Sequence, residues 1–313
     1  MASDKNVKIR TRYSIGEWYG RDISKLDQTT RTQMAELEVE RDAILGNTCR
    51  YHPRGVCNKK GGVCTLRLYG QQGNGPVVGI GSPICVCPSR FFEDAIIHRW
   101  VGETILGTTE PVVLSEIGFL DRLRTNDSDE EDEDGDVIGR IDNVLLHPTK
   151  QPLDWCALEL QAVYFSGKAM SHEFKMLSKG TSSGFAFPAQ HRRPDWRSSG
   201  PKRLLPQLQT KTPTIRTWGK KVAVIVDEPF FGSLVGLDRE RHLSNAEIVW
   251  FVVGYEPTES GWRLVPKETA YTKLESSVKA LTGGTPLPKE KFETQLLNKL
   301  RSMNPNSPLL GVD

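Results

Sequence analysis

Ala-Leu-Glu-Leu-Gln-Ala-Val-Tyr-Phe, residues 157–165, is an apolar run interrupted by two polar side chains, Glu159 and Gln161. In a β-strand this spacing of two residues puts both polar side chains on one face, while their apolar neighbours occupy the other. A carboxylate in an otherwise buried strand is unfavourable unless a partner compensates its charge. Carboxylate oxygens are hard ligands that suit Mg²⁺. The run therefore predicts a strand that carries a metal ligand.

A second apolar run, Val-Ile-Gly-Arg-Ile-Asp-Asn-Val-Leu-Leu, residues 137–146, contains Asp142. The connection between the two runs is long enough for a hairpin loop, so adjacent strands would bring Asp142 and Glu159 around one cation. Glu116, in the apolar run 112–118, is a candidate for a further acidic ligand. The alternatives are a surface carboxylate on an edge strand for Glu116, a turn cap for Asp142, and a solvent-facing strand side for Glu159 and Gln161.

The order of elements predicts an α/β fold, with a central mixed sheet flanked by helices. Strand-like runs occur at 65–69, 77–80, 111–117, 137–146, 158–165, 221–226 and 248–253, and helical patterns occur at 33–45, 91–106, 278–281 and 291–303. We expect a helical N-terminal extension (1–47), a cysteine-rich metal-binding subdomain (48–90) and a catalytic core (91–313). Asp227 and Glu228 follow an apolar strand, and we expect them to be structural.

Five of the six cysteines lie within 39 residues: Cys49, Cys57, Cys64, Cys85 and Cys87. Four thiolates that converge on one ion form a tetrahedral site for zinc or iron. Spacing alone does not choose between these metals, and a set of free thiols is the alternative. His52 is a further possible ligand or a surface residue, and Cys156 is expected to be a small core residue.

Charge is distributed unevenly along the chain, which has a formal net charge of +2. Residues 126–136 carry eight acidic side chains; removing these from the 39 acidic residues leaves 31 against 41 Lys and Arg. We expect this acidic stretch to be a solvated loop. The remaining body suits a polyanionic partner.

A basic segment, 168–221, holds twelve Lys and Arg against Glu173 and Asp195. It is interleaved with aromatic residues, as in many surfaces that bind nucleic acid. The side chains that we expect to touch DNA are His191, Arg192, Arg193, Arg197, Lys202 and Arg203. A solvated loop whose charges serve solubility is the alternative.

Several classes of protein lack support in the sequence. No apolar run is long enough to span a membrane, and the first residues show no signal peptide, so we expect a cytoplasmic protein without a membrane partner. There is no P-loop and no H-E-x-x-H motif, and the G-x-S-x-G pattern occurs as Gly-Thr-Ser-Ser-Gly at 180–184. A nucleotide cofactor and a zincin are therefore not indicated.

An ordered set of motifs resembles the NotI-type restriction endonucleases. The set consists of IGEWYG (15–20), Cys49, CNK (57–59), GVC (62–64), CPSRF (87–91), GRID (139–142), LELQ (158–161) and VDE (226–228). The layout of Asp142, Glu159 and Gln161 also resembles the PD-(D/E)xK nucleases, with Gln in place of the usual Lys.

The resemblance implies a PD-(D/E)xK core and a type II enzyme of a restriction-modification system. Such an enzyme cleaves double-stranded DNA with Mg²⁺, as a homodimer on a palindromic site. The resemblance also implies a structural iron or zinc held by Cys49, Cys57, Cys64 and Cys87. Cys85 departs from the family pattern, either as a replacement ligand or as a bystander.

Two other functions remain open from the sequence. The first is a non-catalytic DNA-binding protein in which the cysteine site organises the surface that reads DNA. The second is another metal-dependent hydrolase with a structural zinc. Mg²⁺-dependent cleavage of plasmid would exclude the non-catalytic DNA-binding protein. Discrete bands from a genomic digest would exclude the other metal-dependent hydrolase.

Overall fold

The computed structural model describes residues 9–40, 48–52, 54–121, 137–167, 170–179, 185–284, 287–305 and 307–310. The acidic stretch 126–136 lies outside these residues. No helix in the described ranges combines the length and the apolar character needed to cross a membrane.

The strands form two main sheets and one short ladder. In chain order they are β1 (Ile9–Trp18), β2 (Arg21–Asp22), β3 (Val63–Gln72), β4 (Val78–Cys85), β5 (Val112–Asp121), β6 (Val137–Leu146), β7 (Trp155–Leu160), β8 (Phe165–Gly167), β9 (Arg192–Pro194), β10 (Val222–Asp227), β11 (Ile248–Pro257) and β12 (Trp262–Thr272). The smaller sheet has the order β2-β1-β3-β4, the larger has the order β12-β11-β10-β7-β6-β5, and β8 pairs with β9.

The helices cover both faces of the larger sheet and one side of the smaller. In chain order they are α1 (Gln28–Glu40), α2 (Ile96–Val101), α3 (Ser171–Ser178), α4 (Trp196–Ser199), α5 (Leu205–Thr217), α6 (Glu228–Phe231), α7 (Leu274–Thr282) and α8 (Lys289–Met303). One π-helical turn, Gly102–Leu106, follows α2, and another, Gly200–Leu204, precedes α5.

The larger sheet is mixed. Strand β10 runs parallel to both β7 and β11, whereas the pairs β5–β6, β6–β7 and β11–β12 are antiparallel. All six residues of β10 are buried, because parallel strands at the centre of a sheet are covered on both faces. A large mixed sheet flanked by helices confirms the coarse α/β prediction.

Each face of the larger sheet has its own apolar core. On one face, Leu208 and Ile215 of α5 belong to the same buried cluster as Val224 of β10. On the other face, Ile97 of α2 clusters with Leu158 and Ile225. Alternation along β7 therefore directs Ala157 and Glu159 towards the α5 layer and Leu158 towards the α2 layer.

A buried ion-pair network connects the smaller sheet to the larger one. Arg90, which is fully buried, donates to Glu17 of β1 and to Glu93, each at 2.8 Å. Arg90 also donates to the backbone carbonyl of Trp262 on β12 at 3.1 Å. The pairing of β1 with β3 places the N-terminal segment and the cysteine-rich segment in one sheet. The division into three domains stays a prediction.

The structure departs from the predicted elements at two places near the site. The predicted strand 158–165 ends at Leu160, so Gln161 lies just beyond β7. The basic segment 168–221, for which no helix was predicted, contains the thirteen-residue helix α5.

Candidate active site

Three carboxylates lie in one row across three adjacent strands. Ser115 pairs with Asn143 and Ile117 pairs with Ile141, so Glu116 of β5 stands opposite Asp142 of β6. Asn143 pairs with Leu158, which places Asp142 beside Glu159 of β7. The predicted hairpin between β6 and β7 therefore brings its two acidic residues together, and Glu116 extends the row.

The backbone at Glu116 is unusual for a strand residue. Its φ is 58°, in the left-handed region that side chains other than glycine rarely adopt. Such a conformation costs on the order of 1–3 kcal/mol and clusters at functional sites. The Glu116 residue is exposed, so the carboxylate row reaches solvent at this edge of the sheet.

Asp142 is half-buried and is fixed across the strand pair. Its Oδ2 atom accepts a hydrogen bond from the backbone N–H of Leu160 at 2.9 Å. Burial raises the pKa of the Asp142 carboxyl above its ordinary value, and the nearby Glu116 acts in the same direction. The Leu160 N–H and the Lys211 ammonium oppose this rise.

Glu159 is almost completely buried, with 1% of its surface exposed. Its Oε1 atom accepts from Lys211 Nζ of α5 at 2.7 Å. Its Oε2 atom has no hydrogen-bond partner among the described residues. Burial, followed by the charge of Asp142, raises the pKa of Glu159 to about 7, and Lys211 opposes this effect.

Gln161 is also buried, at 6% exposure. Its backbone N–H donates to Ile225 O of β10 at 3.0 Å, which holds the segment after β7 against the sheet. Its side-chain Nε2 donates to the carbonyl of Ala162 at 2.5 Å. The amide nitrogen is therefore turned towards the backbone.

Two carboxylates of the row, Asp142 and Glu159, lie side by side on neighbouring strands. Mg²⁺ is commonly held by one or two carboxylates together with water and substrate phosphates. Asp142 and Glu159 are such a pair, and Oε2 of Glu159 has no hydrogen-bond partner among the described residues. Within the described ranges, no group of three or more His, Cys, Asp or Glu side chains is placed to enclose a metal ion.

Three of the predicted cysteine ligands lie together. Cys49 and Cys64 form a small buried cluster with Tyr51, and Cys57 packs against it. Burial raises the pKa of the Cys57 and Cys64 thiols, and the charges of neighbouring thiols, including Cys87, contribute to both rises. The prediction of a closed iron or zinc site gains no support, because these side chains do not form a metal-binding group in the described structure.

Two other cysteines, Cys85 and Cys156, face the apolar core of the larger sheet. Cys85 and Cys156 belong to the cluster that contains Phe91 and Leu158. The backbone N–H of Cys85 donates to Asp227 Oδ2 at 2.8 Å. All six cysteines are free thiols.

The predicted DNA-contacting residues divide into exposed and buried side chains. Arg192 is buried and donates to the buried Glu173 at 2.6 Å, so it fastens β9 to α3 instead of facing solvent. The others are exposed: His191, Arg193, Arg197, Lys202 and Arg203. The Arg203 guanidinium stacks on the ring of Tyr164, with its central carbon 3.8 Å from the ring centre. Tyr164 lies three residues after Gln161 in the chain.

Residues 30–265 match the family model for the restriction endonuclease NotI. The chain belongs to the NotI restriction endonuclease family. The match contains every carboxylate of the row, all six cysteines and the exposed basic residues. No curated protein sequence matches the chain.

Membership of the NotI family makes the chain one of the DNA-cleaving restriction endonucleases, with double-stranded DNA as its partner. Restriction endonucleases generally use Mg²⁺, in agreement with the hard oxygen ligands of the carboxylate row. For a NotI-family chain, the row across β5, β6 and β7 is therefore the candidate active site.

Lys211 is the residue of this NotI-family site that sequence reasoning missed. It lies on α5, outside the strand runs that carry the acidic residues. A usable signal existed: Leu204, Leu208, Lys211 and Ile215 follow a helical period, so the lysine occupies a core-facing position.

Proposed function

We propose that this protein is a Mg²⁺-dependent type II deoxyribonuclease with a PD-(D/E)xK core, which hydrolyses double-stranded DNA at a specific palindromic site. The observation that carries the proposal is the row of Glu116, Asp142 and Glu159 across three adjacent strands of a NotI-family chain.

Hydrolysis joins a water oxygen to phosphorus and breaks the bond from phosphorus to a bridging oxygen. The leaving oxygen departs with the electron pair and takes up a proton. A divalent cation, when bound, supplies positive charge that stabilises the transition state and lowers the pKa of water. Asp142 and Glu159 would hold this cation, with Glu116 as a further acidic ligand.

Gln161 carries no charge and cannot act as a base. Its amide can orient an attacking water by hydrogen bonding, which requires only that Nε2 exchange its bond to the Ala162 carbonyl. The burial of Gln161 at the end of β7 supports this role, because a buried amide has few competing solvent partners.

Exposed basic residues after β8 supply the DNA surface of the proposal: His191, Arg193, Arg197, Lys202 and Arg203. Phosphate contacts of this kind fix the register of the protein on the duplex, and arginine can also read guanine. A homodimer on a palindromic site in the cytoplasm completes the proposal.

A structural iron or zinc at Cys49, Cys57, Cys64 and Cys87 belongs to the same proposal. Cys49, Cys57 and Cys64 lie close together, and closing the site on an ion requires the side chains to move. Elemental analysis of purified protein should give about one iron or zinc per chain. Protein that is folded and active without either metal would reject the structural ion.

Glu159→Ala is the decisive variant for the nuclease activity, with Glu159→Gln as an isosteric companion in case Lys211 without its partner unfolds the protein. Both variants should lose Mg²⁺-dependent plasmid cleavage and keep specific DNA binding. Retained cleavage by either variant rejects the assignment. Specific binding by the parent without any cleavage would instead support a non-catalytic DNA-binding protein.

A digest of a sequenced phage genome tests the specificity. Discrete bands with a shared end sequence are the expected result. Degradation without bands would contradict a site-specific enzyme and favour a hydrolase of another kind.

A further inference from the structure

Lys211 is a charged side chain at an apolar position. On α5 it shares the core-facing side with Leu208 and Ile215, in line with Leu204 of the preceding turn, and it is 6% exposed. A buried ammonium is unfavourable unless a charged partner and hydrogen bonds compensate it. Glu159 provides that partner at 2.7 Å. Helix α5 therefore places one positively charged side chain beside the carboxylate row, on the face of the sheet that the helix covers.

The two oxygens of Glu159 are in different states. Oε1 accepts from Lys211, whereas Oε2 is buried and has no partner among the described residues. Such a buried carboxylate oxygen without a partner costs free energy and can accept a further donor or a cation. The lysine therefore leaves one oxygen of the carboxylate available.

The charged groups nearest to Glu159 are Asp142 on the neighbouring strand and Lys211 on α5. When both carboxyls are ionised they contribute two negative charges, and Lys211 contributes one positive charge. The negative charge that remains favours a bound cation. Gln161 adds nothing to this balance, because its amide is neutral and its Nε2 is turned to the Ala162 carbonyl.

We propose that Lys211 is a positioning residue of the nuclease site. Lys211 binds Oε1 of Glu159, which leaves Oε2 of the same carboxylate for the catalytic cation. Lys211 thereby supplies from α5 the fixed positive charge that Gln161 lacks. This inference rests on the proposed nuclease function for its effect on cleavage, but its effect on stability can be measured without DNA.

The test uses the full chain with Lys211→Met, which keeps the length of the side chain and removes its charge. Thr212→Val is the matched control: Thr212 is also buried on α5, and its Oγ1 has no hydrogen-bond partner among the described residues. The double variant Lys211→Met/Glu159→Gln removes both charges. Thermal melting of each protein is followed with and without MgCl₂, and plasmid cleavage is measured well below the melting temperature.

Without Mg²⁺, Lys211→Met should lower the melting temperature by about 5 °C or more, because Glu159 stays buried without a counter-charge. Millimolar Mg²⁺ should restore most of this loss, since the cation now compensates the same carboxylate. The double variant should show no such response. At saturating Mg²⁺, Lys211→Met should still cleave about 100-fold more slowly than the parent, and Thr212→Val should cleave like the parent.

Two results would overturn the inference. One is a loss of stability in Lys211→Met that Mg²⁺ does not reverse, which would make the ion pair purely structural. The other is cleavage by Lys211→Met within about threefold of the parent. A parent that fails to cleave DNA while the Mg²⁺-dependent melting pattern holds would reject the nuclease function and leave the shared carboxylate standing.

Discussion

At the scale of single residues, Glu116 combines backbone strain with a place in the carboxylate row. Its left-handed φ of 58° occurs in strand β5, where the ladder to β6 skips from Ser115 to Ile117. A residue held in this conformation persists only when surrounding structure or function favours it. The strain is therefore itself a reason to assign Glu116 to the site.

A pair of substitutions separates the backbone of Glu116 from its carboxylate. Glu116→Gly should be more stable than Glu116→Ala by about 1 kcal/mol, because glycine accepts the left-handed conformation and alanine does not. Both variants should lose cleavage to the same extent, because both lack the carboxylate. Urea unfolding and plasmid cleavage are the measurements, and parent-like cleavage by Glu116→Ala would remove Glu116 from the site.

Two neighbouring arginines should respond in opposite ways to substitution. Arg192→Met should destabilise the protein by about 3–5 kcal/mol, because it leaves Glu173 buried without a partner. Arg193→Ala should change the stability by less than about 0.5 kcal/mol and weaken DNA binding, because Arg193 is exposed. Urea unfolding and a DNA-binding titration measure the two effects, and equal behaviour of the two variants would contradict the assignment.

The acidic residues of the site could be predicted from the sequence, because each interrupts an apolar strand run. Asp142 and Glu159 are adjacent in the structure as their hairpin predicts. The lysine could not be placed in the same way. Its contact with Glu159 joins residues 52 positions apart, and such a pairing depends on the packing of a helix on a sheet. The burial of Arg192 depends on the same kind of long-range contact.

At the scale of elements, proline explains why two segments, α5 and β12, were not recognised in the sequence. Helix α5 contains Pro206 in its first turn and Pro213 in its interior, which weaken the helical pattern of a basic segment. Strand β12 contains Pro266, which lies where the ladder to β11 shifts register. β12 is an edge strand, and an edge tolerates proline because one side of the strand makes no ladder bonds. The buried strands β7, β10 and β11 have no proline in their interior and were predicted.

Asp227 joins three elements and makes their stability depend on pH. Its Oδ1 atom caps α6 through Phe230 N–H at 3.0 Å, its Oδ2 atom accepts from Cys85 of β4, and it ends β10. Complete burial raises the pKa of Asp227 to about 7. Folding therefore favours the neutral form of Asp227, which contributes to the free energy of unfolding. This contribution is fully present below the ordinary pKa of 3.8 and is lost as the pH rises through about 7.

Asp227→Asn isolates this contribution. The variant is neutral at every pH, so its free energy of unfolding should fall less steeply than that of the parent between about pH 5 and about pH 8. The substitution also removes one hydrogen-bond acceptor. This loss lowers the free energy of unfolding of the variant by the same amount at every pH, so it does not affect the slope of that free energy against pH. Urea unfolding across this pH range is the measurement, and parallel curves would show that Asp227 does not titrate there.

At the scale of the whole molecule, the proposed DNA surface predicts a strong response to salt. Each phosphate contact releases counterions and adds about 0.9 to the slope of log Kd against log salt concentration. Arg197→Ala should lower this slope by about 1 if Arg197 touches phosphate. Fluorescence anisotropy with a labelled duplex measures the slope, and a parent whose Kd is independent of salt would contradict a basic binding surface.

The carboxylate row also has a consequence for how a duplex is cut. Its acidic residues and Lys211 come from consecutive strands and one helix of a single chain, so the proposed site takes all its groups from one copy and would act on one backbone. A duplex has two backbones of opposite direction. A lone copy would therefore convert supercoiled plasmid first to the open circle, whereas two copies acting together would yield the linear form directly, and the order of these forms on a gel counts the chains that act in one encounter.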